Sequence, residues 1–373
     1  MGPLPHGLSG AERGLRLFCS PSPRRRGGWG AVGIRGPHGR LGRSTFLAMF
    51  LAIAVLVARP AHGQEPSIFG PLGTIVAPHG AGVLLTNVAT GAEEPLAVMP
   101  PVGVTGHAAW SPDRTRLAIS RFARRPSERV GGSDILIVPA TGGEALLAAE
   151  HDLDGALLGA PAWLPDGSGL FYDHLPPSGG PTASQVMFTP LDGGSGSTRI
   201  VSSGGWPAVS PDGRLLAYVR PSNQNGFLNE LVLTDLAGVY ERILVPMDEL
   251  VEITSPRFSP DGTEIAFVGS LSRGEAMRQP GRFDDPYGSP DSGLFMKGVM
   301  AHGPPGDVWV ISIYGGPAYR LTSVEEDEPT LAWSPDGYWL AMLGGGGLYL
   351  LPRDLSQPLR MFAKGGFGGI DWH

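Results

Sequence analysis

The sequence predicts an all-β fold: a six-bladed β-propeller of four-stranded antiparallel blades, closed by a C-terminal strand that completes the N-terminal blade. Three observations predict it. A turn motif recurs five times, as AAWSPDR (Ala108 to Arg114), PAWLPDG (Pro161 to Gly167), PAVSPDG (Pro207 to Gly213), PRFSPDG (Pro256 to Gly262) and LAWSPDG (Leu331 to Gly337). After each copy come two short apolar runs, such as RLAIS and DILIV, with a Gly-rich stretch beyond the second. The two ends of the chain hold the pieces of one further unit.

The first 63 residues stand apart from the rest. Nine Arg face a single acid, Glu12, and Phe46 to Ala58 reads FLAMFLAIAVLVA. Small residues at Ala61 and Gly63 suit a cleavage site, so residues 1–63 are expected to be a basic segment and signal peptide. The protein is then exported, to a periplasm or the extracellular space. A retained N-terminal anchor is the alternative, but the apolar run is shorter than the roughly 20 residues a spanning helix needs, and no stable membrane span is expected after cleavage. The translation start could lie inside this long leader. Cys19, the chain's one cysteine, belongs to the same segment, which leaves no disulfide or thiol chemistry in the remainder. Without residues 1–63 there remain 19 basic and 34 acidic residues, about −15 in net charge. A surface so acidic repels phosphate backbones and excludes nucleic acid as an expected partner.

Residues 64–373 carry the repeat. Pro at the second turn position presets φ, Asp caps the turn, and Gly supplies the left-handed residue that closes a hairpin. Each PDG thus joins the first and second strands of a blade, and the TGG, DGG and YGG stretches turn the third strand into a shorter fourth. Arg114 replaces the glycine in the first copy, where a strained or different turn is expected. Before it, Gly73 to Ala77, Val83 to Thr90 and Pro95 to Val98 read as second, third and fourth strands without a first. The chain finishes on GGIDWH, whose Trp372 matches Trp110, Trp163 and Trp333. That segment is expected to supply the missing strand, so that no open edge remains. Asp261 and Asp336 are 75 residues apart against about 50 for the other copies, because an insertion at 270–306 separates the second and third strands of the fifth blade.

The WSPDG repeat resembles that of TolB-type propellers, over about residues 68 to 373. The resemblance implies the fold. Tol-system proteins of this type carry an α/β domain ahead of the propeller that is absent from this reading, so the Tol role is not transferred. Prolyl-oligopeptidase-like peptidases also have such propellers, joined to a hydrolase domain.

No GxSxG nucleophile elbow and no HExxH zinc helix occurs, and catalysis of those kinds is unsupported. Strand order places on one face the loops leading into each blade and those between second and third strands. That face would gather His107, Glu150, His151, Asp152 and Asp154, Trp206, Asp248, Glu249 and Glu252, and Glu325, Glu326, Asp327 and Glu328 around the channel mouth. An acidic rim of this kind either attracts cations or simply solvates the protein. His151 to Gly155 is only a fragment of a Ca²⁺ loop, so no cofactor is expected, with Ca²⁺ as the possible exception. His107 and His151 are read as structural or, alternatively, as metal ligands. The insertion adds Arg278, Arg282, Phe283, Tyr287 and Phe295 to the same face. The function expected is a non-catalytic, monomeric binding or scaffolding module for a protein, peptide or glycan. The alternative is a metal-dependent propeller enzyme such as a polysaccharide lyase.

Overall fold

In a computed structural model of the protein, residues 71–193, 196–222, 228–247, 249–271 and 305–373 are described. The signal-peptide reading of residues 1–63 and most of the 270–306 insertion lie outside them.

Six four-stranded antiparallel sheets follow one another around a ring. Blade 2 runs Val104–Trp110, Arg116–Ala123, Gly132–Pro139 and Leu146–Ala149, from the innermost strand outwards. Blade 3 uses Leu157–Trp163, Gly169–Leu175, Gln185–Pro190 and Thr198–Val201, and blade 4 uses Gly205–Val209, Leu215–Pro221, Asn229–Asp235 and Arg242–Val245. Blade 5 comprises Glu252–Phe258, Glu264–Ser270, Asp307–Ser312 and Tyr319–Arg320, and blade 6 Thr330–Trp333, Trp339–Leu343, Leu348–Pro352 and Arg360–Ala363. Blade 1 is built from both ends of the described chain: Asp371–Trp372 is innermost, beside Thr74–His79, Gly82–Asn87 and Glu93–Leu96. The closure is antiparallel, with Ile75 opposite Trp372, and Thr74 and His373 exchange both backbone hydrogen bonds. Gly369 and the innermost strand of blade 2 are also bonded, through Gly106 and Ala108.

Alternation along each strand sends one set of side chains to the preceding blade and the other to the following blade. Ile119 packs with blade 1 residues such as Val83, whereas its neighbour Ala118 packs with Leu170 of blade 3. Among the described residues this yields six apolar clusters, one at each blade–blade interface. The core is therefore a ring of sheet-on-sheet layers. Tryptophans stitch the layers: Trp163 Nε1 donates to the Ala109 carbonyl of the blade before it, and Trp333 Nε1 to the Arg257 carbonyl, at 3.2 and 3.1 Å.

The repeated turns share one backbone geometry, and in four of the five a serine hydroxyl bonds the aspartate two residues on. In the blade 5 copy Ser259 Oγ donates to Asp261 Oδ1 at 2.5 Å and accepts from Glu264 N at 3.0 Å, while Thr263 N donates to Asp261 Oδ1 at 3.0 Å. Gly167, Gly213, Gly262 and Gly337 sit at φ between 67° and 73°. Arg114 adopts φ 61° at the same place, so the first turn is of the same type, formed against the steric preference of an L-residue.

Candidate binding site at the channel mouth

The innermost strands of blades 3, 4 and 5 each break register once, at Gly159/Ala162, Gly205/Ala208 and Thr254/Arg257. Each break holds a non-glycine residue in the left-handed region followed by proline: Ala160 at φ 43°, Trp206 at 54° and Ser255 at 50°. Proline lacks the N–H that a regular ladder would use there, which suits a bulge. Three strained residues at equivalent places mark this wall as specialised, since such conformations cost about 1 to 3 kcal/mol each.

Inside the bulges, on the face of the loops leading into the blades, lies a cavity of about 820 Å³ spanning blades 2 to 5. Val104, Phe122, Leu157, Leu175, Val219 and Ile253 give it apolar walls, and His107, Ser120, Asp173, Trp206, Asn229 and Glu252 supply its polar and aromatic positions. Asn229 clamps two blades by donating to the Ile253 carbonyl at 3.1 Å and accepting from Ile253 N at 2.7 Å. Ser133 and Leu158 join blades 2 and 3 in the same way. The walls are thus held in place by bonds between blades.

His107 stands edge-to-face on Trp206, ring centroids 5.3 Å apart, with Nδ1 3.1 Å from Ser120 Oγ. Burial, and then the charge of Arg257, lowers its pKa to about 4, so this imidazole is neutral at pH 7. Asp173 moves the other way: burial pushes its carboxyl up to about 6, although the N–H groups of Trp206 and Gly159 donate to it. Its Oδ2 lies 3.3 Å from Trp206 N. Burial, followed by the nearby Glu328 charge, raises Glu252 to about 7. Gly159 is required where the wall is tightest, because a β-carbon there would stand 2.7 Å from Asp173 Oδ1 and 3.4 Å from His107 Cε1.

Of the residues expected at the mouth, the structure brings His107, Trp206 and Glu252 together. His107 and Trp206 lie within innermost strands, and Glu252 opens one. Most of the remaining rim acids have partners. His151 is buried between Asp134, 2.6 Å from its Nδ1, and Glu128, 2.8 Å from its Nε2, with Arg125 joining both carboxylates. Glu150 pairs with Arg125 and Asp152 with His174, at 3.1 and 3.0 Å. Asp154 accepts from the backbone of Arg129, Val130 and Gly131, bonds that hold its pKa below the usual carboxylate range. Glu326 is buried, accepting from Tyr349 Oη at 2.5 Å and Gly346 N at 3.0 Å, and Glu325 lies 3.8 Å from Arg320. Asp327 and Glu328 are likewise engaged, while Glu249 is exposed. His107 and His151 occupy different environments, the cavity wall and an ionic cluster. Among the described residues no group of three or more His, Cys, Asp or Glu side chains is arranged to hold a metal ion. Asp248 and the insertion residues Arg278, Arg282, Phe283, Tyr287 and Phe295 lie outside the described residues.

Sequence reasoning missed Asp173 and Ser120, and the signal lay in the repeat. Leu117, Leu170, Leu216, Ile265, Leu340 and Ile75 pair with equivalent residues of the innermost strands. Three residues further along stand Ser120, Asp173, Val219, Val268, Leu343 and Pro78, so a single blade places a carboxylate in this slot. The same comparison exposes Arg257 and Asp371, at a position that the other four blades fill with Ala109, Ala162, Ala208 and Ala332. Asp371 accepts from the backbone of Trp110 at 2.8 Å and of Trp372 at 2.9 Å, and the Arg257 charge opposes the rise in pKa that its burial causes.

No family model matches the chain. Over 139 residues, 36% of the chain, it is 31% identical to a protein of Bacillus subtilis (strain 168) named "Uncharacterized peptidase YuxL". The match spans one fifth of that protein's length. Among solved structures, TolB from Acinetobacter baumannii superposes with a TM-score of 0.57 at 16% identity, over 80% of this chain and 66% of that one. A putative TolB from Agrobacterium tumefaciens gives 0.50 at 18% identity, over 71% and 87%. The tricorn protease gives 0.50 at 15%, over 80% of this chain and 27% of its own. Identities this low speak to fold. Among the described residues no helix is long and apolar enough to cross a membrane.

Proposed function

We propose that this TolB-like propeller is a binding module that takes a peptide segment of a partner protein into the cavity at its channel mouth, outside the cytoplasm. One observation carries the reading: the cavity of about 820 Å³, with apolar walls, an aromatic wedge at Trp206 and a few fixed polar groups. Ligand sites are built in this way, and apolar area supplies affinity while the polar groups orient the guest. Two of the similar proteins are named for peptide cleavage, a peptidase and a protease, which favours a peptide over a glycan. The sequence carries neither a GxSxG nor an HExxH motif, which supports capture without hydrolysis by those routes. Export is supported by the basic leader and apolar run of residues 1–63.

The test is selection of a phage-displayed peptide library on the immobilised protein, repeated with Trp206→Ala and with the rim variant Glu249→Gln. Peptides enriched on the wild type should lose at least about tenfold in affinity with Trp206→Ala and be unchanged with Glu249→Gln, tenfold being about 1.4 kcal/mol of lost contact. Equal binding to all three proteins would place the interaction elsewhere. N-terminal sequencing of the protein recovered from culture fractions tests export, with a start near residue 64 expected.

A further inference from the structure

Two carboxyl groups enter a cavity with apolar walls whose lining, among the described residues, includes no Lys or Arg. Asp173 fills a slot that Val219, Val268, Leu343 and Pro78 fill in four other blades, and its bonded partners are backbone N–H groups of Trp206 and Gly159. Glu252 starts the innermost strand of blade 5, and among the described residues no hydrogen bond or ion pair reaches its carboxylate. The charges that act on these acids come from several elements. His174, next to Asp173 on its strand, lowers the Asp173 pKa but is bonded to Asp152, and Glu328 raises that of Glu252. His107 stays neutral beneath Trp206, and Arg257 interacts electrostatically with Asp371.

A carboxylate in an apolar wall is costly unless a cation or a set of donors compensates it, and a local break of the repeat is expected where function requires it. Trp206, held at φ 54° in the same wall, adds an indole ring, the aromatic that attracts cations best. A long basic side chain satisfies all three features, because its methylenes lie on apolar walls while its head reaches the carboxylates. From this complementarity we infer that the cavity recognises a peptide through one Arg or Lys side chain flanked by apolar residues, with Asp173 and Glu252 as counter-charges. The inference rests on the peptide-binding reading above and specifies its ligand.

Binding would be read by fluorescence anisotropy with labelled acetyl-Leu-Arg-Leu-amide and its Gln and Glu counterparts at pH 8 and pH 5. The Arg peptide should bind at least about tenfold more tightly than the Gln peptide at pH 8, with the Glu peptide weakest. That advantage should shrink at pH 5, where both acids are largely protonated, and disappear in Asp173→Asn combined with Glu252→Gln. A melting curve of the double variant checks its folding. Arg and Gln peptides that bind equally, both weakened by Trp206→Ala, would overturn the cation inference and leave the binding reading standing. Failure of all three peptides to bind at millimolar concentration would overturn both.

Discussion

Replacing Asp173 by Asn tests whether the cavity wall carries a destabilising charge. The carboxyl rises from 3.8 to about 6 on folding, chiefly through burial. At 1.36 kcal/mol per pH unit, the ionised form is about 3 kcal/mol worse off in the folded protein than in the unfolded chain. The sign follows from linkage: between about pH 4 and 6 the folded state holds a proton that the unfolded state has released, so stability falls as pH rises through that window. Below it both states are protonated and the contribution vanishes. Asn keeps an oxygen for the Trp206 and Gly159 N–H groups but bonds them less well, so Asp173→Asn should be weaker than the wild type by roughly 1 kcal/mol at pH 4. At pH 8 it should be more stable by about 2 kcal/mol, once roughly 1 kcal/mol is allowed for an imperfectly bonded amide. In a propeller of this size that is about 3 °C in Tm. Urea denaturation of both proteins at pH 4, 6 and 8 measures the difference directly, and the other titrating groups cancel between them. Equal differences at pH 4 and pH 8, or a variant weaker at pH 8, would refute the assignment of the charge to this wall.

Arg114→Gly should stabilise the protein by about 1 kcal/mol in the same urea experiment, because glycine relieves the φ of 61° that the other four turns assign to glycine. Trp372→Ala should cost about 3 to 5 kcal/mol, since it empties a buried indole from the closing interface and removes its 2.9 Å bond to the Leu72 carbonyl. Asp154→Ala should raise hydrogen exchange at the amides of Arg129, Val130 and Gly131 by at least about tenfold, and leave exchange in the innermost strands unchanged. Ser259→Ala should cost about 1 to 2 kcal/mol through the bonds it makes with Asp261 and Glu264, whereas Leu164, which holds the serine's place in the blade 3 turn, shows that the turn itself survives the loss.

The fold was legible because each blade repeats one local solution. Pro and Gly set the turn, alternation sets the two apolar faces, and the spacing of Trp110, Trp163, Trp333 and Trp372 sets the register, so the sequence itself marks the C-terminal strand that pairs beside Thr74–His79. The serine of the turn was less visible. Ser is a common turn residue for several reasons, and nothing in its chemistry announces that Ser111, Ser210, Ser259 and Ser334 each donate to the Asp two residues on.

The site was legible only in part, and the reason is that formal charge in a sequence does not reveal what it is bonded to. By formal charge the rim acids read as a field around the channel, yet Asp154 is occupied by three backbone N–H groups, Glu326 by a tyrosine and a glycine, and Glu150 by an arginine that also serves Glu128 and Asp134. A carboxylate so bonded offers a guest little. What separates Asp173 and Glu252 is that both line the cavity, Asp173 with backbone N–H donors alone and Glu252, among the described residues, with no bonded partner. That property becomes readable in a repeat protein when blades are aligned by strand register, because the repeat states which side chain packing alone would choose. Val219 and Val268 give the choice that packing makes; Asp173 departs from it at a cost worked out above. Trp206 departs from Ala160 and Ser255 in the same wall, and His107 departs too. Three departures converging on one cavity, each against a local preference, are what selection for a ligand would leave.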